Sequence, residues 1–250
     1  MKAVKFFRDQ EKSFNFFRSF IRENFIPDDV ETVEQRFSDY CDMILDATQK
    51  YNLTSLKSAE EVFEILFIDS LLPFTLIHKF EPGSKILDVG SGAGVPGLVL
   101  ALVFPDSHFH LLDATRKKTQ FMESVVQALG LNNVTVHLAR AEDAGHNPDL
   151  REKFDYGVAR SLAQLNILFE YVLPFLRTGG LCYAYKGALS PLEITRGEGA
   201  LMELGGGVEA QKEYVLPFSG KKRVILSVKK TATCPDKYPR RAGIPKKRPL

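Results

Sequence analysis

Lys85-Ile-Leu-Asp-Val-Gly-Ser-Gly-Ala-Gly-Val-Pro-Gly97 decides how this chain folds. Ile86, Leu87 and Val89 read as the end of a buried parallel strand, and the apolar run 98–104 beyond the glycines suits a helix. Gly90, Gly92 and Gly94 stand at alternate positions between them, which permits positive φ and strips Cβ atoms from a sharp turn. A ligand can then lie against bare N–H groups at the positive end of a helix, as a nucleotide-like group does.

Two cofactor frames compete for this turn. Gly92-Ala-Gly94-Val-Pro-Gly97 matches the G-x-G-x-x-G fingerprint of dinucleotide folds, with Asp113 about 20 residues on, where an acid binds ribose hydroxyls. The frame Asp88-x-Gly90-x-Gly92-x-Gly94 fits better, because it sets an acid in the strand where dinucleotide folds usually keep an apolar residue. That frame resembles the S-adenosylmethionine (AdoMet) loop of class I methyltransferases.

Working outward, 250 residues suit one large α/β domain with an attached extension. No apolar run reaches the roughly 18 residues of a membrane span, and residues 1–9 alternate charge with phenylalanine instead of forming a signal-peptide core. A cytoplasmic protein without membrane contact is expected. Cys41, Cys182 and Cys234 are far apart and form no cluster with the five histidines, which argues against a disulfide framework and a zinc site. Reduced thiols and no metal are expected.

Upstream of the loop the pattern is helical. Val4, Phe7, Phe14, Phe17, Ile21 and Phe25 form an apolar stripe, with Lys2, Lys5, Arg8, Lys12, Arg18 and Arg22 around it. Pro27, Asp28 and Asp29 end that helix and cap a second, whose Val30, Val33, Phe37, Tyr40, Cys41, Ile44 and Leu45 share a face. The phenylalanines read as core, not as platforms for stacking bases. Tyr51-Asn-Leu-Thr-Ser55 breaks the pattern, Ser58 and Glu61 make a capping box, and a helix is expected over 62–78. Asp69 and Ser70 sit inside that apolar helix, where polar residues usually brace a neighbouring element.

Downstream, strands and helices alternate: strands at 108–113, 133–139, 154–159 and 181–185, helices at 115–129, 163–176 and 191–204, then a hairpin of strands 213–217 and 223–228. The expected fold is α/β, a mostly parallel seven-stranded sheet with helices on both faces. Its parts are an N-terminal helical extension over 1–80, a cofactor-binding domain over 81–230 and a basic tail over 231–250. Ligands of such sheets lie outside the carboxyl ends of the strands. Asp113, Ala141 and Glu142 come to that rim, and the fourth and fifth strands each deliver a cation to it, Arg160 and Lys186.

Charge is unevenly distributed. From Lys221 to Leu250 there are 11 Lys or Arg and one Asp, a balance of +10, which leaves 22 basic against 30 acidic residues before it. Such a tail contacts a polyanion through counterion release. Arg116 and Lys117 open a helix whose macrodipole they oppose, which points to phosphate contact.

Over nearly its whole length the chain resembles the bacterial small-subunit ribosomal RNA guanine-N7 methyltransferases, historically called the glucose-inhibited division protein B family. The resemblance is carried by Tyr51-Asn-Leu-Thr54, Asp69-Ser-Leu71, Asp88-Val-Gly-Ser-Gly-Ala-Gly94 with Pro96-Gly97, Leu111-Leu-Asp113, Lys117-Lys-Thr-Gln-Phe121, Ala141-Glu142, Val158-Ala-Arg-Ser161, Lys186-Gly187 and Lys237-Tyr-Pro-Arg-Arg-Ala-Gly243. It implies AdoMet held by Asp88, Gly90, Gly92, Gly94 and Val95, by Asp113, and by Ala141 and Glu142, with Arg160 lining the site, and it implies S-adenosylhomocysteine (AdoHcy) as product. Two positions depart from the family pattern. Val95 stands where Phe or Leu is common, and Leu66 stands where many members have a histidine, so no role of that histidine carries over.

The residues also restrict the chemistry. Val158-Ala-Arg-Ser161 replaces the Asn- or Asp-Pro-Pro-aromatic motif of amine methylation, and neither Cys182 nor Cys234 is placed as the nucleophile that base-carbon methylation needs. Guanine N7 has a free lone pair, so it can attack a methyl in line without a general base. Arg160 and Lys186 are therefore assigned to holding RNA phosphate or base edges, and Arg116, Lys117, Lys222, Arg223, Arg240 and Arg241 to the RNA backbone. The expected partner is 16S ribosomal RNA or the small ribosomal subunit, bound by a monomer, and deletion of the tail is expected to leave AdoMet binding unchanged. An NAD-dependent oxidoreductase and a non-catalytic RNA-binding protein remain as alternatives.

Overall fold

The computed structural model describes residues 11–25 and 30–250. Val4, Phe7, Lys2, Lys5 and Arg8 of the first stripe and the break at Pro27, Asp28 and Asp29 lie outside the described residues. Helix α1 (Glu11–Asn24) and helix α2 (Val30–Tyr51) are followed by a composite helix, α3. It is α-helical over Ala59–Glu61, π-helical over Val62–Ile68 and α-helical again over Asp69–Leu71, and it ends in a 3-10 turn, Leu72–Thr75. Its N-terminus carries the expected capping box, with the Ser58 hydroxyl accepting from the Glu61 N–H and the Glu61 carboxylate accepting from the Ser58 N–H.

The alternating part runs β1 (Lys85–Val89), α4 (Gly97–Val103), β2 (His108–Asp113), α5 (Arg116–Leu129), β3 (Val134–Leu138), α6 (Ala141–Ala144), β4 (Phe154–Arg160), α7 (Leu165–Val172), β5 (Leu176–Lys186), α8 (Pro191–Leu204), β6 (Gly206–Val215), β7 (Lys222–Lys230) and a last short helix, α9 (Ile244–Lys247). The strands form one sheet of order β3-β2-β1-β4-β5-β7-β6. β1 to β5 are parallel, and β7 lies antiparallel between β5 and β6. The order reverses between β1 and β4, the switch point at which such sheets open a crevice.

Each face of the sheet has its own core. On one, Phe17, Phe37, Phe63 and Phe67 of the first three helices pack with Ile86, Val99 and Tyr183, so the N-terminal helices share a continuous core with the sheet. Phe17 meets Phe37 at 4.7 Å and Phe63 at 5.2 Å between ring centroids, mostly edge to face, which confirms the stripe as packing. The other face buries Leu87, Val89, Phe169, Leu201, Cys234 and Tyr238, and so includes residues beyond 230.

Three boundaries differ from the sequence reading. The helix expected over 163–176 ends at Val172 and passes through a 3-10 turn, Leu173–Phe175, because Pro174 has no N–H to continue an α-helix. β5 then begins at Leu176, five residues early, through an irregularity in its pairing with β4. The hairpin strands extend to Gly206–Val215 and Lys222–Lys230, since β6 is an edge strand with Tyr214 alone fully buried and shows little apolar alternation. No helix of the described residues is long and apolar enough to cross a membrane.

Candidate active site

The glycine loop takes the conformation that its composition allows. Gly90, Gly92 and Gly94 all have positive φ, 76°, 61° and 86°. A Cβ at position 90 would lie 2.5 Å from Leu162 Cδ1, and the positive φ strains any side chain placed there. The loop is tied down from two sides. The Gly92 N–H donates to Asp113 Oδ2 at 3.0 Å and the Thr115 N–H to Asp113 Oδ1 at 2.8 Å, which joins the turns after β1 and β2. From α2 the Tyr40 hydroxyl donates to the Ala93 carbonyl at 2.5 Å.

Asp88 lies behind the loop. Along β1 alternate residues point to opposite faces, Leu87 and Val89 to one core and Ile86 to the other, which sends Asp88 under α4. Its Oδ2 accepts the Gly97 N–H at 2.8 Å, its Oδ1 has no partner, and burial pushes its carboxyl up to about 7. The carboxylate expected on the cofactor therefore braces the first turn of α4.

A cleft of about 190 Å³ opens at the carboxyl ends of β1, β2 and β3. Its walls are Val89, Gly90, Leu112, Asp113, Ala114, Ala139, Arg140, Ala141, Glu142 and Leu162, together with Tyr171, Gly243 and Lys246. Of the residues assigned to the cofactor from sequence, Gly90, Asp113, Ala141 and Glu142 line it. Gly92, Gly94 and Val95 shape the loop from outside the cleft. Glu142 Oε1 accepts the Tyr171 hydroxyl at 3.2 Å and the Gly243 N–H at 3.1 Å. A flat ring would have Leu112, Ala114, Ala139 and Leu162 around it, and Asp113 at the end of β2 offers an acceptor to hydroxyls. An adenosyl group fits this set of walls.

A second cavity, of about 270 Å³, adjoins the first and is lined by Ile65, Asp69, Arg160, Ser161, Tyr185, Lys186, Gly187 and Arg223. Ser161 lines it and the next residue, Leu162, lines the cleft, so the turn after β4 is their common wall. Ser161 has φ 53°, a conformation that non-glycine residues adopt at a cost and that is found at functional turns. Both cations expected on this rim are present, and both are held. Arg160 donates to the Ile65 carbonyl at 2.7 Å and stands 3.6 Å from Asp69, while Lys186 pairs with Glu193 at 2.6 Å and donates to the Ala163 carbonyl at 3.0 Å. Asp69, buried, also accepts from the Tyr214 hydroxyl at 2.8 Å and from Arg223 at 3.0 Å. Of the helix polar pair, Asp69 thus braces neighbouring elements at the rim, whereas the Ser70 hydroxyl donates to the Leu66 carbonyl of its own helix.

The expected RNA contacts divide by burial. Arg116, Lys117, Lys222 and Arg241 are exposed and have no ion-pair partner among the described residues. Arg223 is held by Asp69, and Arg240 forms a forked pair with the fully buried Glu170, 2.9 Å and 2.6 Å, so its guanidinium serves the fold. Lys230, wholly buried, pairs with Glu152 at 2.7 Å. The basic excess after residue 220 is partly structural, because a buried charge requires a partner. Residues 231–250, the basic tail, are anchored to the sheet domain: Arg151 donates to the carbonyls of Tyr238 and Cys234, and Asn166 to that of Leu250. Leu162, Tyr171 and Gly243 in the cleft, and Ile65 and Tyr185 in the second cavity, are site residues that sequence reasoning did not assign, and Lys246, which the charge pattern assigns with the other basic residues of the tail to RNA, lines the cleft.

Sheet order, glycine turn and rim cleft together define the class I methyltransferase fold. Among solved structures, the geranyl diphosphate C-methyltransferase of Streptomyces coelicolor is similar at TM-score 0.51 and 12% identity, over 65% of this chain and 78% of that one. A model of the family described as rRNA small subunit methyltransferase G matches residues 33–217. Ribosomal RNA small subunit methyltransferase G of Acetivibrio thermocellus is 41% identical over 222 residues, covering 89% of this chain and 90% of the relative, and that of Deinococcus deserti is 39% identical over 222 residues, covering 89% and 91%. The chain belongs to the rRNA small subunit methyltransferase G family.

Proposed function

We propose that the protein transfers a methyl group from AdoMet to N7 of a guanine in 16S ribosomal RNA. The observation that carries this reading is the shared wall at Ser161 and Leu162, which sets a nucleoside cleft against a cavity rimmed by cations. Gly90, Leu112, Asp113, Ala141 and Leu162 would hold the adenosyl group. When bound, AdoMet supplies a methyl made electrophilic by its sulfonium. The chain supplies position. Arg160, Lys186 and Arg223 reach the second cavity with their side chains fixed by Ile65, Asp69 and Glu193, so they meet the RNA without further ordering.

N7 carries no proton, so the transfer needs no general base, and the carboxylate that lines the second cavity, Asp69, serves to hold Tyr214 and Arg223. Holding two reactants in line can lower a barrier by roughly 7–11 kcal/mol. Methylation at a base carbon is disfavoured, because Cys41, Cys182 and Cys234 are all buried and burial pushes the Cys182 thiol up to about 12, far from a thiolate at neutral pH. Calorimetric titration tests the cofactor part of this reading directly. AdoMet and AdoHcy should each give a saturable heat with the purified chain and NAD none; heat from NAD alone would transfer the loop to the oxidoreductase reading.

A further inference from the structure

The segment beyond β7 is built into the cofactor cleft. Arg151 holds its first turns through the carbonyls of Cys234, Pro235 and Tyr238 at 2.9, 3.3 and 2.7 Å. Arg240 and Glu170 fix its middle, and the Asn166 amide holds its last residue, Leu250, at 2.7 Å. Between these anchors the Gly243 N–H reaches Glu142 at 3.1 Å, and Lys246 lines the same cleft as Asp113. Asp113 and Glu142 are both engaged by donors, whereas Lys246 has no ion-pair partner among the described residues. A purine presents ring nitrogens that only accept; Lys246 and Arg140 are the cleft's cations without an ion-pair partner among the described residues, and Lys246 is the one carried by this segment. Arg241, Lys247 and Arg248, all exposed, flank it on the same stretch of chain.

We propose that the segment 241–248 couples the two substrates: through Gly243 and Lys246 it walls the nucleoside cleft, with Lys246 binding the adenosyl group, while Arg241, Lys247 and Arg248, outside the cleft, take RNA backbone phosphates. The inference rests on the AdoMet reading above. RNA that settles this segment tightens the cofactor, and by linkage the cofactor tightens RNA by the same factor. It also replaces the expectation that the tail can be removed without effect on cofactor affinity.

The test is equilibrium dialysis of labelled AdoHcy against the full chain, with and without small ribosomal subunits. Lys246→Ala should weaken AdoHcy binding about tenfold, the worth of one charged hydrogen bond, with the melting temperature of the unliganded protein unchanged. Subunits should raise the AdoHcy affinity of wild type, and the triple variant R241Q/K247Q/R248Q should lose that increase while keeping its affinity for AdoHcy alone. Wild-type AdoHcy affinity in Lys246→Ala, or a wild-type affinity indifferent to subunits, would overturn the proposal. Failure of wild type to bind AdoHcy at all would instead remove the cofactor reading on which it stands.

Discussion

At the scale of single residues, the two acids beside the glycine loop have different work. Asp113 receives N–H groups from both neighbouring turns and faces the cleft, so Asp113→Ala loses a ribose acceptor and slackens the loop together. AdoHcy affinity should fall by at least about tenfold, read by calorimetry against an unliganded melting curve. Asp88 is a matter of pH. Burial raises its carboxyl to about 7, with Gly97, Ser91 and Arg160 lowering it and Asp113 raising it, so the folded chain binds that proton more tightly than the unfolded one. The stability this gives is full below about pH 4 and lost as pH rises through about 7. Asp88→Asn keeps an acceptor for the Gly97 N–H and removes the titration, so its melting temperature should exceed that of wild type at pH 8 and equal it near pH 4. Parallel curves would show that Asp88 is already ionised in the fold. Both acids were visible in the sequence; their division of labour was not, because it depends on which face of β1 each neighbour takes.

At the scale of elements, α3 joins the N-terminal helices to the site. Its π-helical stretch places Glu64 to accept the N–H groups of Phe218 and Ser219 at 2.7 and 2.6 Å, and the Ile65 carbonyl to hold Arg160. π-helical turns recur at functional sites, as here. Phe67 of this stretch packs against Phe17, Phe37, Phe63 and Tyr40, the last of which supports the glycine loop. Phe67→Ala should cost about 3–5 kcal/mol of stability, measured by denaturant unfolding, and weaken AdoHcy binding through Tyr40. A stability loss with unchanged affinity would disconnect the helices from the loop. The capping box and the β1 turn were legible because each is a local pattern. The π register, the break at Pro174 and the length of β6 were not, since they are set by packing between distant segments or by an edge strand with no apolar alternation to read.

At the scale of the molecule, the excess of positive charge near the C-terminus has two uses. Arg240 neutralises the buried Glu170 and the buried Lys230 is itself neutralised by Glu152, while Lys222, Arg241, Lys247 and Arg248 remain at the surface. Arg240→Ala strands the buried Glu170 and should cost about 3–5 kcal/mol of stability. Lys222→Gln should leave the melting temperature alone and reduce the slope of log affinity for RNA against log salt by roughly one. The reverse assignment of effects would show that the surface and structural cations have been confused. Composition alone disclosed the excess but could not sort it, because pairing with Glu170 or Glu152 joins residues more than 60 positions apart.

The central claim is that the cleft and the cation-rimmed cavity meet to methylate a ring nitrogen of RNA. Purified protein incubated with small ribosomal subunits and methyl-labelled AdoMet, followed by digestion of the 16S RNA to nucleosides, measures it. The label should be recovered as 7-methylguanosine from one site, and recovery should collapse with Arg160→Ala. Label on an exocyclic amine or a ring carbon, or none in RNA at all, would contradict the account.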